Sequence, residues 1–566
     1  MARWIRLEPD PAPLDSLAAE LRIPGFLARL LVQRGLADPA AAARFLNPSL
    51  EDLHDPFQML GMPAAVERLR RACQASEKIL IYGDYDVDGT TAVVLLRKAI
   101  EMAGGRADFH LPHRLREGYG MRPEVLEQAA RDGVRLVVSV DTGIREVETV
   151  ERGNQLGIDT IITDHHLPDV APPPALVVLN PNQPHCPYPE KNLCGVGVAF
   201  KLAQGLLGTL GWPAARLQKV LASLLRLTAI GTVADVVPLV GENRTIVKFG
   251  LDGLRQAVNP GLKALLATAG FREGQTPSAG DVAFRVAPRL NAAGRMDTAS
   301  TVIELFSVSD SKHAGELAAR LNELNTERQK AEAGILDQVL AGLPEGAGEA
   351  ACLVAAGVGW HRGVLGIVAS RLVERFHRPA LVVSIDDGAG LAHGSGRSIR
   401  GFHLLEALES MRDLFVRHGG HRAAAGFSMP ADGVDQLRER LNAYAAARLS
   451  AEDFVPQLVI DAELRLGEIT DLNMAALQRL EPYGYGNPGP VFAATRLLVS
   501  SEPRVLKDKH LRLALRQDGL VMMAVGWQMA AWAEKLRPGS VVDAAFTVET
   551  DDFLGGWRLV LRDLAL

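Results

Sequence analysis

The chain has little cysteine, no long apolar run and no excess of positive charge, and each shortage removes a class of protein. Cys73, Cys186, Cys194 and Cys352 are the four cysteines in 566 residues, and no two form a Cys-x-x-Cys pair. A disulfide framework is not expected in a chain of this size. His185, Cys186 and Cys194 also lack the paired spacing of a zinc site. No stretch of about 18 uncharged apolar residues occurs, so no membrane span is expected. Met1-Ala2-Arg3-Trp4-Ile5-Arg6 runs straight into Glu8, Pro9 and Asp10, without the apolar segment of a signal peptide. A cytoplasmic location is the resulting expectation. Internal repeats and long low-complexity tracts are missing too. The net charge of −6 argues against a generally basic nucleic-acid-binding surface. It leaves room for a carboxylate-lined site beside a local basic groove.

At roughly 100–200 residues per domain, the length implies three or four units. From Lys78 to about Asp235, short apolar runs alternate with helical spacing. The runs are Lys78–Tyr82, Leu136–Val140, Thr160–Thr163 and Leu176–Leu179, with helices expected over Thr90–Met102 and Arg145–Leu156. This is the pattern of a parallel sheet covered on both faces, an α/β fold. Ser309 or Asp310 caps a long helix reaching about Leu343, read as a connector and not as a binding element. Apolar runs return over 351–386, and 350–450 is expected to form a second, smaller α/β domain. Beyond Pro456, period-two alternation and the turns Asp518-Gly519 and Gly555-Gly556 predict a small β-barrel or sandwich. The expected division is a helical segment 1–70, a catalytic domain 71–308, a connecting helix 309–345, a substrate-binding domain 346–450 and a β-barrel 456–566.

Acids stand where the apolar runs stop. Asp84, Asp86 and Asp88 follow the first run, Asp141 the second, and Asp164-His165-His166 the third. Ala229–Val233 and Ala234 deliver Asp235. In open parallel sheets, ligands bind beyond the carboxyl ends of the strands, so these groups converge on one rim. So many carboxylates side by side raise one another's pKa values unless a cation is bound. Carboxylates with imidazoles suit manganese or magnesium and accommodate zinc or cobalt. The number of ligands is enough for two ions, the arrangement that activates water and clamps a phosphoryl group. Each motif alone reads as an ordinary loop; their coincidence in one α/β unit does not.

Between Arg362 and Arg422, arginines interleave with glycines and histidines, notably in His393-Gly394-Ser395-Gly396-Arg397-Ser398-Ile399-Arg400 and His418-Gly419-Gly420-His421. Glycines let backbone amides approach a phosphate, and arginine offers bidentate contacts. In the C-terminal part Arg504, Lys507, Lys509, His510 and Arg512 form a basic stretch. Trp527 and Trp557 are candidates either for stacking on bases or for the core.

Asp164-His165-His166, with Asp84–Gly89 upstream, Asp141-Thr142-Gly143 between and Gly231–Asp235 downstream, resembles the DHH phosphoesterase superfamily. Gly419–Phe427 resembles the Gly-Gly-His signature of its associated DHHA1 domain. Trp360–Ala369, Val286–Arg295 and Pro482–Pro488 resemble the RecJ branch. The resemblance implies a parallel-sheet core, a smaller α/β domain on a long helix, and a C-terminal OB-like barrel. It implies a 5′→3′ exonuclease of single-stranded DNA, dependent on Mn2+ or Mg2+ and acting in recombination and repair. A monomer is expected, with single-strand-binding protein and a helicase as partners.

The implied metal ligands are Asp84, Asp86, Asp88, Asp141, His165 and Asp235, with His166 and Asp164 catalytic. The pyrophosphatase branch has a His in the first motif where this chain has Tyr82 or Asp84, which leaves direct ligation by Asp84 open. Arg114, Ser395 and Arg397 are implied grips for the 5′ end. Arg289, Asn291, Arg295, Arg400 and His421 are further DNA-binding candidates. A DHH phosphodiesterase for short oligonucleotides or cyclic dinucleotides is the neighbouring alternative, though it needs only two domains. A DNA-binding scaffold with a dead site is the other; complete acids in all four motifs disfavour it.

Overall fold

The computed structural model describes residues 2–114, 116–169, 171–343, 346–551 and 555–566. It divides into two compact units: His54–Val237 with Phe249–Val455, and Met1–Leu53 with Pro238–Lys248 and Pro456–Leu566.

The first unit holds two sheets. Strands β1 (Lys78–Gly83), β2 (Ala107–His110), β3 (Val134–Val140), β4 (Asp159–Thr163) and β5 (Val177–Leu179) form a parallel sheet in the order β2-β1-β3-β4-β5. Apart from its first residue β1 is wholly buried, and β3 nearly so, as continuous apolar runs require. The order reverses between β1 and β3, the topological switch point where doubly wound sheets bind ligands. Helices α1 (Val87–Met102), α3 (Gly195–Gly208) and α4 (Ala214–Ala234) pack on one another, and α2 (Val147–Gln155) packs on β4.

The ladder of acids departs from expectation at one point. Asp235 follows helix α4 as its C-cap, not a strand. An apolar run of a few residues does not distinguish a buried helix from a strand. By length and composition α4 is also the one helix among the described residues able to cross a membrane. Its Leu224, Leu225 and Thr228–Val233 are instead buried in the core.

Helix α5 (Ala287–Met296) follows a π-helical turn over Val282–Val286, and α6 (Ser311–Gly342) is the long helix. Asp310 caps α6, accepting a hydrogen bond from the His313 amide at 2.7 Å; the last two residues of the expected 309–345 helix lie outside the described residues. The second sheet comprises β6 (Leu353–Val358), β7 (Ala380–Asp386), β8 (Leu391–Arg397), β9 (Arg417–Gly420) and β10 (Ala424–Pro430), in the order β9-β10-β8-β7-β6. Only β6 and β7 are parallel. Helix α7 (Leu365–Phe376) packs on β7 and β8.

In the second unit β11 (Phe492–Val499), β12 (His510–Gln517), β13 (Leu520–Gly526), β14 (Val541–Thr550) and β15 (Trp557–Ala565) run in the circuit β11-β14-β15-β13-β12, and β12 closes it on β11. This is an OB-type barrel. Its core is shared with Leu17, Leu27, Leu30, Leu31 and Leu46 from the N-terminal helices. The expected 1–70 segment is therefore split: 1–53 belongs with the barrel, and the rest with the parallel sheet. Trp557 packs against the barrel core and donates to Asp471 at 2.8 Å, whereas Trp527 is 52% exposed.

Candidate metal centre

Four chain segments meet at the carboxyl ends of β1, β3 and β4. After β1 the chain turns through Asp84 into α1, where Asp86 is the N-cap and accepts from the Gly89 amide at 3.0 Å. Asp88 lies in the first turn of α1 and is 1% exposed. Its two oxygens accept from the amides of Gly195 (2.6 Å) and Val196 (2.7 Å). Those amides open helix α3, whose dipole favours a negative charge there. Asp141 follows β3 with φ of 61°, a left-handed conformation that Asp tolerates better than most residues. Gly195 makes room for it: a Cβ there would lie 2.5 Å from the Asp141 Cβ.

His165 joins these groups. Its Nε2 lies 3.2 Å from Asp141 Oδ1, 3.6 Å from Asp235 Oδ2 and 3.9 Å from Asp88 Oδ2. Three sets of potential ligand atoms cluster within 4.8 Å: Asp141, His165 and His166; Asp88, His165 and Asp235; and Asp84, Asp86 and Asp141. All six expected ligands are thus brought together, Asp84 among them.

The electrostatics favour a cation. Asp84 Oδ1, Asp141 Oδ1, His165 Nε2 and Asp235 Oδ2 are buried without a hydrogen-bond partner, and orphaned buried polar atoms are costly. Burial first, and neighbouring carboxylates second, push the carboxyl pKa values up. Asp88 rises to about 7 and Asp235 to about 9, and Asp84 and Asp141 also rise well above the usual range. Burial and the neighbouring His166 lower His165 to about 4, leaving a neutral imidazole suited to ligation. Oxygen donors with imidazole fit Mn2+ or Mg2+, and ions held in these clusters would satisfy the orphaned atoms between them.

Asp164 stands behind this centre. Fully buried, it accepts from the amides of Ile144 (2.9 Å), His165 (2.7 Å) and His166 (3.2 Å), and pairs with His166 Nδ1 at 2.8 Å. Burial disfavours its charge, but these bonds outweigh burial and lower its pKa. Burial likewise disfavours the His166 imidazolium, and the bond to Asp164 overrides it and raises the pKa. The bonds of the Asp164 carboxylate run to the chain around it and to the His166 ring, so its geometry fixes this loop and the orientation of His166. Tyr119 was not among the candidates, yet its hydroxyl lies 3.2 Å from His166 Nδ1.

A second cluster has the opposite sign. Along β8, His393, Ser395 and Arg397 alternate with buried residues and share one face. Arg397 Nη1 donates to Ser395 Oγ (3.3 Å) and to Gly396 O (2.8 Å). A Cβ on Gly366, at the start of α7, would come within 2.8 Å of Arg397 Nη2 and 2.9 Å of Ser395 Oγ. Arg114 stacks 5.0 Å above the Tyr85 ring. Burial lowers the Arg397 pKa and takes Arg295 down to about 10; Arg114 adds repulsion to both, and Arg328 and Arg397 add theirs to Arg295. Arg328 belongs to the long helix α6, which thus adds a charge to this cluster besides connecting the domains.

Other expected DNA contacts are placed differently. Arg289 donates to Asn322 Oδ1 at 3.0 Å and to Arg285 O. The Asn291 side-chain oxygen accepts from the Val87 amide at 3.2 Å. Both residues are engaged inside the unit. Arg400 and His421 are exposed. Cys186 and Cys194 are buried and fall outside the metal-ligand clusters found among the described residues.

Three family models match in register with this architecture: the DHH family N-terminal domain over residues 78–232, the DHHA1 domain over 349–447 and the RecJ OB domain over 460–562. The single-stranded-DNA-specific exonuclease RecJ of Bacillus subtilis (strain 168) is 40% identical over 100% of this chain and 71% of its own length. The chain belongs to the RecJ family. The crystal structure of Thermus thermophilus RecJ with Mn2+ superposes with a TM-score of 0.85 at 31% identity, covering 100% of this chain and 79% of that one. The same protein with Mg2+ gives 0.78 at 31% identity, covering 100% and 78%. RecJ membership accounts for the division into DHH, DHHA1 and OB parts.

Proposed function

We infer that the chain is a metal-dependent exonuclease of single-stranded DNA that uses Mn2+ or Mg2+. One observation carries the reading: buried acids and a neutral imidazole with orphaned ligand atoms stand beside a half-buried arginine cluster. The first arrangement calls for cations and the second for a phosphate. RecJ relatives named as single-stranded-DNA-specific exonucleases support the substrate class, and the Mn2+ and Mg2+ complexes of a RecJ support the cofactor.

Asp84, Asp86, Asp88, Asp141, His165 and Asp235 would hold the metal, in a set large enough for two ions. Bound there, divalent cations supply Lewis acidity to activate water and neutralise the scissile phosphate. Everything else is done by side chains. Asp164 holds His166 Nδ1, which leaves the other ring nitrogen to hydrogen-bond a phosphate oxygen as charge develops. Arg114, Arg295, Ser395 and Arg397 would bind a terminal 5′-phosphate, with Arg397 in bidentate contact, and so set 5′→3′ polarity. Within the barrel unit, the basic stretch Arg504, Lys507, Lys509, His510 and Arg512 and the exposed Trp527 would offer phosphate and stacking contacts to a single strand.

This proposal includes a cytoplasmic monomer acting in recombination and repair with single-strand-binding protein and a helicase. A degradation assay with labelled single strands, duplexes and dinucleotides, across a metal series, tests it. Metal-dependent release of mononucleotides from the 5′ end of single strands is expected. Hydrolysis of dinucleotides alone would contradict it and favour the small-substrate alternative.

A further inference from the structure

Helix α5 touches both clusters. On one turn, Asn291 Oδ1 accepts from the amide of Val87, the first residue of α1, between Asp86 and Asp88 of the Asp84–Asp88 segment. On the next, Gly294 lies so close to that loop that a Cβ would sit 2.5 Å from Tyr85 O. The following residue, Arg295, turns the other way and donates to Gly363 O at 3.0 Å, in the second α/β domain. The contact is tight from both sides: a Cβ on Gly363 would fall 2.7 Å from Arg295 O. Arg295 also feels the charges of Arg114, Arg397 and Asp86. Arg289 fastens the same helix to α6 through Asn322. Three anchors on one short helix thus join the metal-binding loop, the arginine cluster and the long helix.

The loop needs such an anchor. It must hold Asp84, Asp86 and Asp88 at spacings a cation can bridge, although all three carry like charge when ionised. The arginine cluster is under the converse stress, because its cations repel until an anion arrives. A phosphate bound there draws Arg295 and Arg397 together, and Arg295 is continuous with the backbone that seats Tyr85 and Val87. Such coupling is reciprocal: whatever the phosphate adds to metal affinity, the metal adds to phosphate affinity.

Resting on the reading of the arginine cluster as a 5′-phosphate pocket, we propose that helix α5 couples occupancy of that pocket to metal binding by the Asp84–Asp88 loop. Asn291 is the positioning residue at the joint. It was a DNA-contact candidate in the sequence; its hydrogen bond makes it a support of the metal loop.

Direct Coulomb attraction between a bound phosphate and a metal ion raises affinity without any helix, so the test separates the two. Mn2+ affinity is measured by paramagnetic resonance of the free ion. The full chain carries an oligothymidylate with an uncleavable first linkage, bearing either a 5′-phosphate or a 5′-hydroxyl. The readout is the ratio of the two Mn2+ affinities. For the parent, a ratio of about ten or more is expected. Asn291→Ala should bring it to about half that or less, while Asn291→Asp, which keeps an acceptor for the Val87 amide, should retain it; the added charge cancels in a ratio. In metal-free protein, the phosphorylated strand should slow amide exchange over residues 85–88 in the parent and not in Asn291→Ala. An Asn291→Ala ratio equal to the parent's would overturn the proposal, as would unchanged exchange in the parent. Equal binding of the two strands by the parent would instead overturn the phosphate-pocket reading on which it rests.

Discussion

The acid rim of the parallel sheet and the arginine cluster, which brings Arg295 of α5 beside Arg397 of β8, are built alike and charged oppositely. In the first, burial pushes Asp88 and Asp235 up to about 7 and about 9. In the second, burial pulls Arg295 down to about 10. Each cluster gathers like charges in a poorly solvated place, and each is relieved by a ligand of the opposite sign. A metal-loaded acid rim and a phosphate end are what the two clusters lack. The comparison teaches that neither is a stability device: both are costs to the fold that a substrate complex removes.

The strongest way to break this symmetry is Asp141→Ala. It should cut turnover at least a thousand-fold. It should leave the metal-free protein as stable as the parent or more so, because a buried carboxyl with an unpartnered oxygen is gone. Melting curves beside single-strand degradation check it; lost activity with a large fall in melting temperature would make Asp141 a structural residue.

Next comes the pair His165 and His166. His166→Ala should lower turnover about a hundred- to a thousand-fold with Mn2+ affinity nearly intact. His165→Ala should lose Mn2+ affinity itself. Equal losses of affinity in metal titrations would erase the division that the Asp164–His166 bond implies.

Arg397→Ala addresses the other side. Losing a charge-assisted contact of about 1.5–3 kcal/mol should weaken the preference for a 5′-phosphate over a 5′-hydroxyl about ten- to a hundred-fold. Binding to internal strand should change much less. Undiminished end discrimination would remove Arg397 from the pocket.

The smallest effect is a pH dependence. Asp88 and Asp235 titrate near 7 and 9 in the fold, against about 3.9 in an unfolded chain. The metal-free fold therefore holds more protons than the unfolded chain, and its stability falls as pH rises through that window. Bound Mn2+ cancels the penalty. The melting-temperature gain from Mn2+ should then be a few degrees larger at pH 9 than at pH 6, and a gain that shrinks with pH would reverse the sign argued here.

Much of this was legible in the residues. Apolar runs ending in acids predicted β1, β3 and β4 and placed Asp84, Asp141 and Asp164 at their ends. Asp-Gly and Gly-Gly turns located the barrel hairpins. What stayed hidden depended on tertiary contact. Ala229–Ala234, apolar but for Thr232, suits a strand or a buried helix alike, and it packs as a helix against α1 and α3. Leu17, Leu27 and Leu30 read as their own helical segment, although they fill the barrel core. A truncation at Pro456 would strip them of that partner. The connector reading of the long helix gave no sign of Arg328, and the hydrogen bond from Val87 to Asn291 crosses 204 residues, beyond any local pattern.

The central claim is that the acid rim is a cation site, and calorimetric titration of the metal-free chain with Mn2+ tests it most directly. The titration is run near pH 8 in buffers of different ionisation enthalpy, beside Asp141→Ala. Saturable binding by the parent, with net proton release and marked weakening in the variant, is the predicted result. Binding of equal strength in parent and variant, with no protons released, would contradict it.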